Sequence, residues 1–131
     1  MPAEQLYRVV ADVERYPEFL PGWRSVRVIQ RDTDLLQVEQ EIGLGPMSIR
    51  FRSSARAHPP TGLSIHSDDG PFKHLLIQWR VEPVDDTRTE VELDIEATAR
   101  GGLVAPLIES NLQRTAHELI PLFVQRARDI A

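Results

Sequence analysis

Polar and apolar residues alternate strictly along the middle of the chain. Met47, Ile49, Phe51, Ser53, Ala55 and Ala57 fall on one face, and Ser48, Arg50, Arg52, Ser54, Arg56 and His58 on the other. A period of two is the mark of a half-buried strand. The same alternation puts Leu36, Val38, Gln40 and Ile42 inward, opposite Gln37, Glu39 and Glu41. It continues in Leu63 and Ile65, then in Leu75, Ile77, Trp79 and Val81. It ends with Val91, Leu93, Ile95, Ala97 and Ala99, opposite Glu90, Glu92, Asp94 and Glu96. Val26 and Val28 add a strand just after Trp23. Turn signals separate the runs at Gly43-Leu44-Gly45-Pro46, Pro59-Pro60-Thr61-Gly62, Asp68-Asp69-Gly70-Pro71 and Asp85-Asp86-Thr87. Alternation with one wet face predicts an antiparallel sheet of about six strands in meander order. The outward arginine and acidic rows can pair across that face, at only about 0–1 kcal/mol per pair.

The period changes at both ends of the chain. Leu6, Val9, Val10 and Val13 recur at helical spacing, so Pro2–Val13 reads as a helix. Pro17 opens a short second helix, and Pro21-Gly22 closes it. From Leu103 onward, Val104, Ile108, Leu112, Leu119, Phe123, Ala127 and Ile130 form the stripe of a long amphipathic helix. Pro106 suits its first turn, whereas Pro121 removes a backbone hydrogen bond and predicts a kink. The expected class is α+β: two short N-terminal helices, then a curved antiparallel sheet gripping one long C-terminal helix.

Several inward strand positions are small: Ser53, Ala55, Ala57, Ala97 and Ala99. They either leave an apolar space under the long helix, a candidate ligand pocket, or let the helix approach closely. The pattern alone leaves both open.

Composition narrows the chemistry. The 131 residues make a single domain, 1–131, by the usual length prior, and 41% hydrophobic with 27% charged residues excludes long disorder. Without cysteine there is no disulfide, thiolate metal site or cysteine nucleophile. A net charge of −5 argues against a sequence-independent nucleic-acid binder. No apolar run is long enough to span a bilayer. Met1-Pro2-Ala3-Glu4 lacks the basic and apolar regions of a secretory signal. The expected compartment is the cytoplasm, with peripheral contact to the inner membrane through Phe19-Leu20-Pro21 as an option. His58, His66 and His74 fall on outward strand faces, His117 lies off the helical stripe, and no pair has metal-ligand spacing. No nucleophile elbow or dinucleotide fingerprint occurs. The interior offers only Ser53, Gln40 and Asn111 as polar groups, too few to expect acid–base chemistry. No catalytic residue and no metal site are therefore expected.

Three segments carry a family resemblance. Asp12-Val13-Glu14-Arg15-Tyr16-Pro17-Glu18-Phe19-Leu20-Pro21-Gly22-Trp23 resembles the helix–turn segment of the coenzyme Q-binding, START-like proteins. Gly70-Pro71-Phe72-Lys73-His74-Leu75, followed by Trp79-Arg80-Val81-Glu82-Pro83, is similar to that family's Gly-Pro-Phe…Trp strand. Phe123, Arg126 and Ala127 resemble the close of its C-terminal helix. The resemblance implies a helix-grip fold with a hydrophobic tunnel for ubiquinone or another lipid, carried in support of respiratory electron transport and with no required cofactor. It also implies two alternatives. One bacterial branch is a ribosome-association toxin that hinders subunit joining, and polyketide aromatase/cyclases share the fold.

In this reading the pocket wall is Ile49, Phe51, Ser53, Ala55, Trp79, Leu93, Ala97, Leu112 and Leu119, and the rim is Phe19, Trp23 and Phe72. The expected partner is a hydrophobic small molecule, or the ribosome under the toxin alternative. Family members begin with a strand, whereas this sequence starts at the helix. An open sheet edge is then expected to pair two copies into a homodimer.

Overall fold

The computed structural model describes residues 1–44, 46–103 and 105–130. Helix α1 (Ala3–Ala11) buries Leu6, Tyr7, Val9 and Val10 and stops at Asp12, whose ψ of 69° leaves the helical region. It is thus shorter than the stretch to Val13 that periodicity suggests. The second short helix does not start at Pro17. It is a 3-10 helix, Val13–Glu18, with Pro17 inside it. A 3-10 turn eclipses residues three apart, and Val13 and Tyr16 are the two residues it buries.

The strands are β1 (Trp23–Arg31), β2 (Leu35–Leu44), β3 (Met47–His58), β4 (Gly62–Ser67), β5 (Phe72–Pro83) and β6 (Thr89–Ala99). They form one antiparallel sheet in sequence order. The turn expected over Gly43–Pro46 includes Gly45, which lies outside the described residues. The faces follow the alternation: Ile49, Phe51, Ser53 and Ala55 are buried on β3 while Ser48, Arg50, Arg52 and Arg56 are exposed. On β6 the inward Val91, Leu93, Ile95 and Ala97 are only half-buried, as suits an edge strand. The outer rows do pair. Register sets Glu41 opposite Arg50 and Glu39 opposite Arg52, at 3.0 Å and 3.6 Å.

Helix α2 (Ala105–Asp129) runs unbroken through Pro121, which sits on its exposed side. Its buried stripe is Ile108, Leu112, Leu119, Phe123 and Ala127. Leu103 and Ile130 do not join that stripe: both lie beyond the helix ends and are exposed. Val104 lies outside the described residues.

The core has two parts. One gathers α1, the 3-10 helix, Trp79, Val81 and the C-terminal half of α2. The other packs Ile108 and Leu112 on Ile42, Ile49, Phe51, Phe72 and Leu75.

The segments that carry the family resemblance are packing devices. Gly70 adopts a φ of +60°, and a Cβ there would stand 2.7 Å from the Arg50 carbonyl oxygen. Phe72 meets the Phe51 ring edge-on at 4.9 Å. Arg126 lies over the Phe19 ring at 5.3 Å and pairs with Glu18 at 2.6 Å. The Gln5 amide donates to the Ala127 carbonyl at 3.0 Å. These contacts fasten the C-terminal half of α2 to the N-terminal helices.

Candidate functional site: a cavity between sheet and helix

A cavity of about 30 Å³ lies where the two parts of the core meet. The sheet contributes Gln40, Ile42, Phe51, Ile65, Leu75, Ile77, Trp79 and Ile95, and α2 contributes Leu112, Thr115, Leu119 and Phe123. Tyr16, Leu20 and Trp23 close the end beside the 3-10 helix. The volume holds about two water molecules, and the wall is almost wholly apolar.

Of the expected pocket residues, Phe51, Trp79, Leu112, Leu119 and Trp23 line this cavity. Ile49, Ser53, Ala55, Leu93 and Ala97 do not. On β6 the small residues behave as the second option foresaw and let α2 come close, whereas Ala55 and Ala57 on β3 border a cleft at the surface. Ala99 is buried, and its N–H donates to Glu109 on α2 at 2.9 Å. Ala97 packs against the cluster that holds Ala99, Ile108 and Leu112. Ala55 and Ala57 share a surface cleft with Ala11 of α1. Ile49 packs in the Phe72 cluster, Leu93 flanks the Trp79 cluster, and Ser53 turns its hydroxyl to Gln40. The cavity opens instead over the longer residues of the sheet's middle.

Two rim expectations fail as well. Phe72 is completely buried against Phe51. Phe19 is half-buried beneath Arg126 and packs on Phe123 at 5.1 Å. Asn111 bonds back to its own helix at the Leu107 carbonyl. His58 and His66 are exposed and His74 is half-buried, outside the cavity. Alternation did mark Gln40, Ile42, Ile65, Leu75, Ile77 and Ile95 as inward, without ranking them. Thr115 stands three residues after Leu112 and four before Leu119, which is inward spacing masked by a polar side chain.

Polar groups on the wall are few. The Thr115 hydroxyl donates to the Asn111 carbonyl at 2.7 Å, and the Tyr16 hydroxyl donates to the Val10 carbonyl. Burial pushes the Tyr16 hydroxyl pKa far above its ordinary value. The Trp23 indole N–H donates to Gln40 Oε1 at 3.3 Å, and Gln40 Nε2 donates to Ser53 Oγ at 2.9 Å. Among the described residues no Asp, Glu, His, Lys or Arg lines the cavity.

The sequence pattern of the family described as polyketide cyclase / dehydrase and lipid transport matches residues 1–123. The chain is 28% identical over 129 residues to a protein of Pseudomonas aeruginosa named ribosome association toxin RatA, spanning 98% of this chain and 90% of that one. It is 32% identical over 81 residues to the mitochondrial coenzyme Q-binding protein COQ10 homolog B of Xenopus laevis, spanning 61% of this chain and 33% of the relative. Among solved structures, the Zhui aromatase/cyclase of a Streptomyces species superposes with a TM-score of 0.88 at 17% identity, over 97% of this chain and 87% of that one. At that identity the likeness concerns the fold alone. The chain, a six-stranded sheet gripping one long helix, belongs to the polyketide cyclase / dehydrase and lipid transport family.

Proposed function

We propose that the protein binds a hydrophobic small molecule, an isoprenoid quinone or another lipid, between the sheet and α2, and carries it without transforming it. The observation that supports this is the apolar cavity at the sheet–helix interface. Each buried CH₂ of such a ligand contributes about 0.8 kcal/mol before the cost of association. A cyclase needs a proton-transfer group facing its substrate. Among the described residues Tyr16 is the only titratable side chain on the wall, and its hydroxyl is engaged with the Val10 carbonyl.

The cavity is about a tenth of the smallest usual ligand pocket, roughly 300 Å³, so loading requires α2 to move. Its two halves are held unequally. The C-terminal half carries the Phe123 aromatic contacts, the Arg126–Glu18 pair and the Gln5 hydrogen bond. The N-terminal half rests on Ile108, Leu112 and the Glu109 hydrogen bond. Pro121, which offers no N–H to the helix, lies between the stronger anchors and this half. Opening therefore starts at the N-terminal half, where Leu107, and Leu103 just before the helix, are exposed. They also suit peripheral contact with a membrane better than Phe19-Leu20-Pro21, because Leu20 is buried and Phe19 is covered. None of the described helices is long and apolar enough to cross a membrane. The cytoplasm, beside the inner membrane, is the proposed place of work.

Native mass spectrometry and solvent extraction of the purified protein test the reading. A co-purifying quinone or lipid supports it. An empty protein that takes up no quinone or lipid from added vesicles overturns it.

One observation favours a second reading, ribosome association: the RatA relative matches along 98% of this chain. Sucrose-gradient profiles after overexpression separate the two. A pure lipid carrier leaves subunit joining intact, and accumulation of free subunits supports the second reading.

A further inference from the structure

Gln40 sits in the middle of β2, paired with Val26 on β1 and Phe51 on β3. It is only 6% exposed, and its side chain lines the cavity. An indole N–H can only donate, so the Trp23 contact fixes Oε1 as the amide atom facing Trp23. The amide nitrogen then faces the other way, where one of its two hydrogens goes to Ser53 Oγ. No protein acceptor among the described residues takes the second. The other wall hydroxyls are spent on the main-chain carbonyls of Val10 and Asn111. Gln40 thus holds, beside an almost wholly apolar wall, one amide hydrogen that no described residue accepts, and among the described residues no cation lines the cavity.

We propose that Gln40 is the residue that recognises the ligand's polar end, and that this end is a neutral oxygen acceptor of carbonyl type. A carboxylate or phosphate would meet no positive charge on this wall. The proposal rests on the reading of the cavity as a hydrophobic-ligand site. Within that reading it places the ligand's carbonyl at β2, at the amide nitrogen of Gln40 on the side away from Trp23, and its apolar remainder toward Trp79, Phe123 and Leu119.

A matched pair of probes tests this: 2-methyl-1,4-naphthoquinone and its carbonyl-free counterpart 2-methylnaphthalene. The chain has no cysteine for the quinone to alkylate. Calorimetric titration of the wild-type protein is expected to show the quinone bound about three- to tenfold more tightly, the worth of one net hydrogen bond. Gln40→Met is expected to lose that preference and bind the two probes alike. The infrared carbonyl band of the quinone bound to wild-type protein, expected to move to lower wavenumber, needs no variant and serves if Gln40→Met fails to fold. An unshifted band, or an unchanged preference in Gln40→Met, overturns the role of Gln40 while leaving the cavity as an apolar site. Failure of wild-type protein to bind either probe overturns the hydrophobic-ligand reading itself, and the proposal with it.

Discussion

The Trp79 and Phe123 rings meet with centroids 4.6 Å apart and planes at 60°. This contact joins β5 to the C-terminal half of α2, and both rings line the cavity. Phe123 also meets Tyr16 edge-on at 5.2 Å and Phe19 at 5.1 Å. One helix side chain thereby ties strand, 3-10 helix and α2 together, and the cavity wall is set by the same ring that anchors the helix.

Replacing Phe123 is therefore expected to be severe. The ring is 1% exposed, and truncating a buried Phe to Ala costs about 3–5 kcal/mol. Urea denaturation of Phe123→Ala should show a loss in that range. Phe123→Leu should recover part of it, because shape and aromatic contacts are lost but most of the volume stays.

The sheet was legible because five of its runs alternate strictly, and α2 because its stripe keeps helical spacing. The site was less legible. Small inward residues such as Ala97 and Ala99 looked like space, yet whether a helix fills that space depends on its distance, which one strand's pattern does not encode. Phe72 looked like a rim residue from its place next to Gly70-Pro71. Its ring turns inward because a register shift between Phe72 and His74 puts it on the same face as Leu75, three residues on. Thr115 was hidden by its hydroxyl, which bonds its own helix and leaves the methyl for the wall. The segments that carried the resemblance supply both the frame, through Gly70, Phe72 and Arg126, and part of the wall, through Tyr16, Leu20, Trp23, Leu75, Trp79 and Phe123.

Tyr16 makes stability sensitive to alkali. Its folded-state pKa is raised above the ordinary tyrosine value of about 10, chiefly by burial. An unfolded chain ionises it near pH 10 while the folded chain keeps its proton. Stability is thus full below that pH and falls above it, by about 1.4 kcal/mol per pH unit for one such group. Tyr16→Phe is expected to lose about 1 kcal/mol at neutral pH with its hydrogen bond to Val10, and to unfold less steeply in alkali. Denaturation midpoints between pH 8 and 11 measure both.

Gly70 is a backbone requirement. Its φ of +60° and the 2.7 Å approach to the Arg50 carbonyl leave no place for a Cβ. The left-handed conformation alone costs a non-glycine residue about 1–2 kcal/mol, and the overlap adds to that. Gly70→Ala should lower the thermal midpoint clearly. Gly101→Ala, whose Cβ would meet nothing within 4 Å, should stay within about 0.5 kcal/mol of wild type.

β6 is one of the two edges of the sheet, and it presents an acidic row to any second copy. Its outer face carries Glu90, Glu92, Asp94 and Glu96, all exposed. Two-fold antiparallel pairing of β6 with a second copy continues that face, so the two acidic rows come together, and like charges across a strand pair repel. Pairing through this edge is expected to strengthen with salt and with acid. Light scattering should give a mass that rises toward the dimer as salt increases, and Glu92→Gln/Asp94→Asn should shift the rise to lower salt. A monomer mass under every condition excludes pairing through β6.

Unequal anchoring of α2 predicts unequal opening. Amides of the 108–115 segment depend on a few apolar contacts and the Glu109 hydrogen bond. Those of the 119–127 segment are backed by the Phe123 cluster and the Arg126 and Gln5 contacts. Local opening free energy follows such local contact, so hydrogen exchange should be at least about tenfold faster in the first segment, a difference of about 1.4 kcal/mol. A bound hydrophobic ligand touching Leu112 and Leu119 bridges the two halves and should slow the first segment selectively. Uniform protection along the helix would mean that α2 opens as one body or not at all, and that loading needs another route.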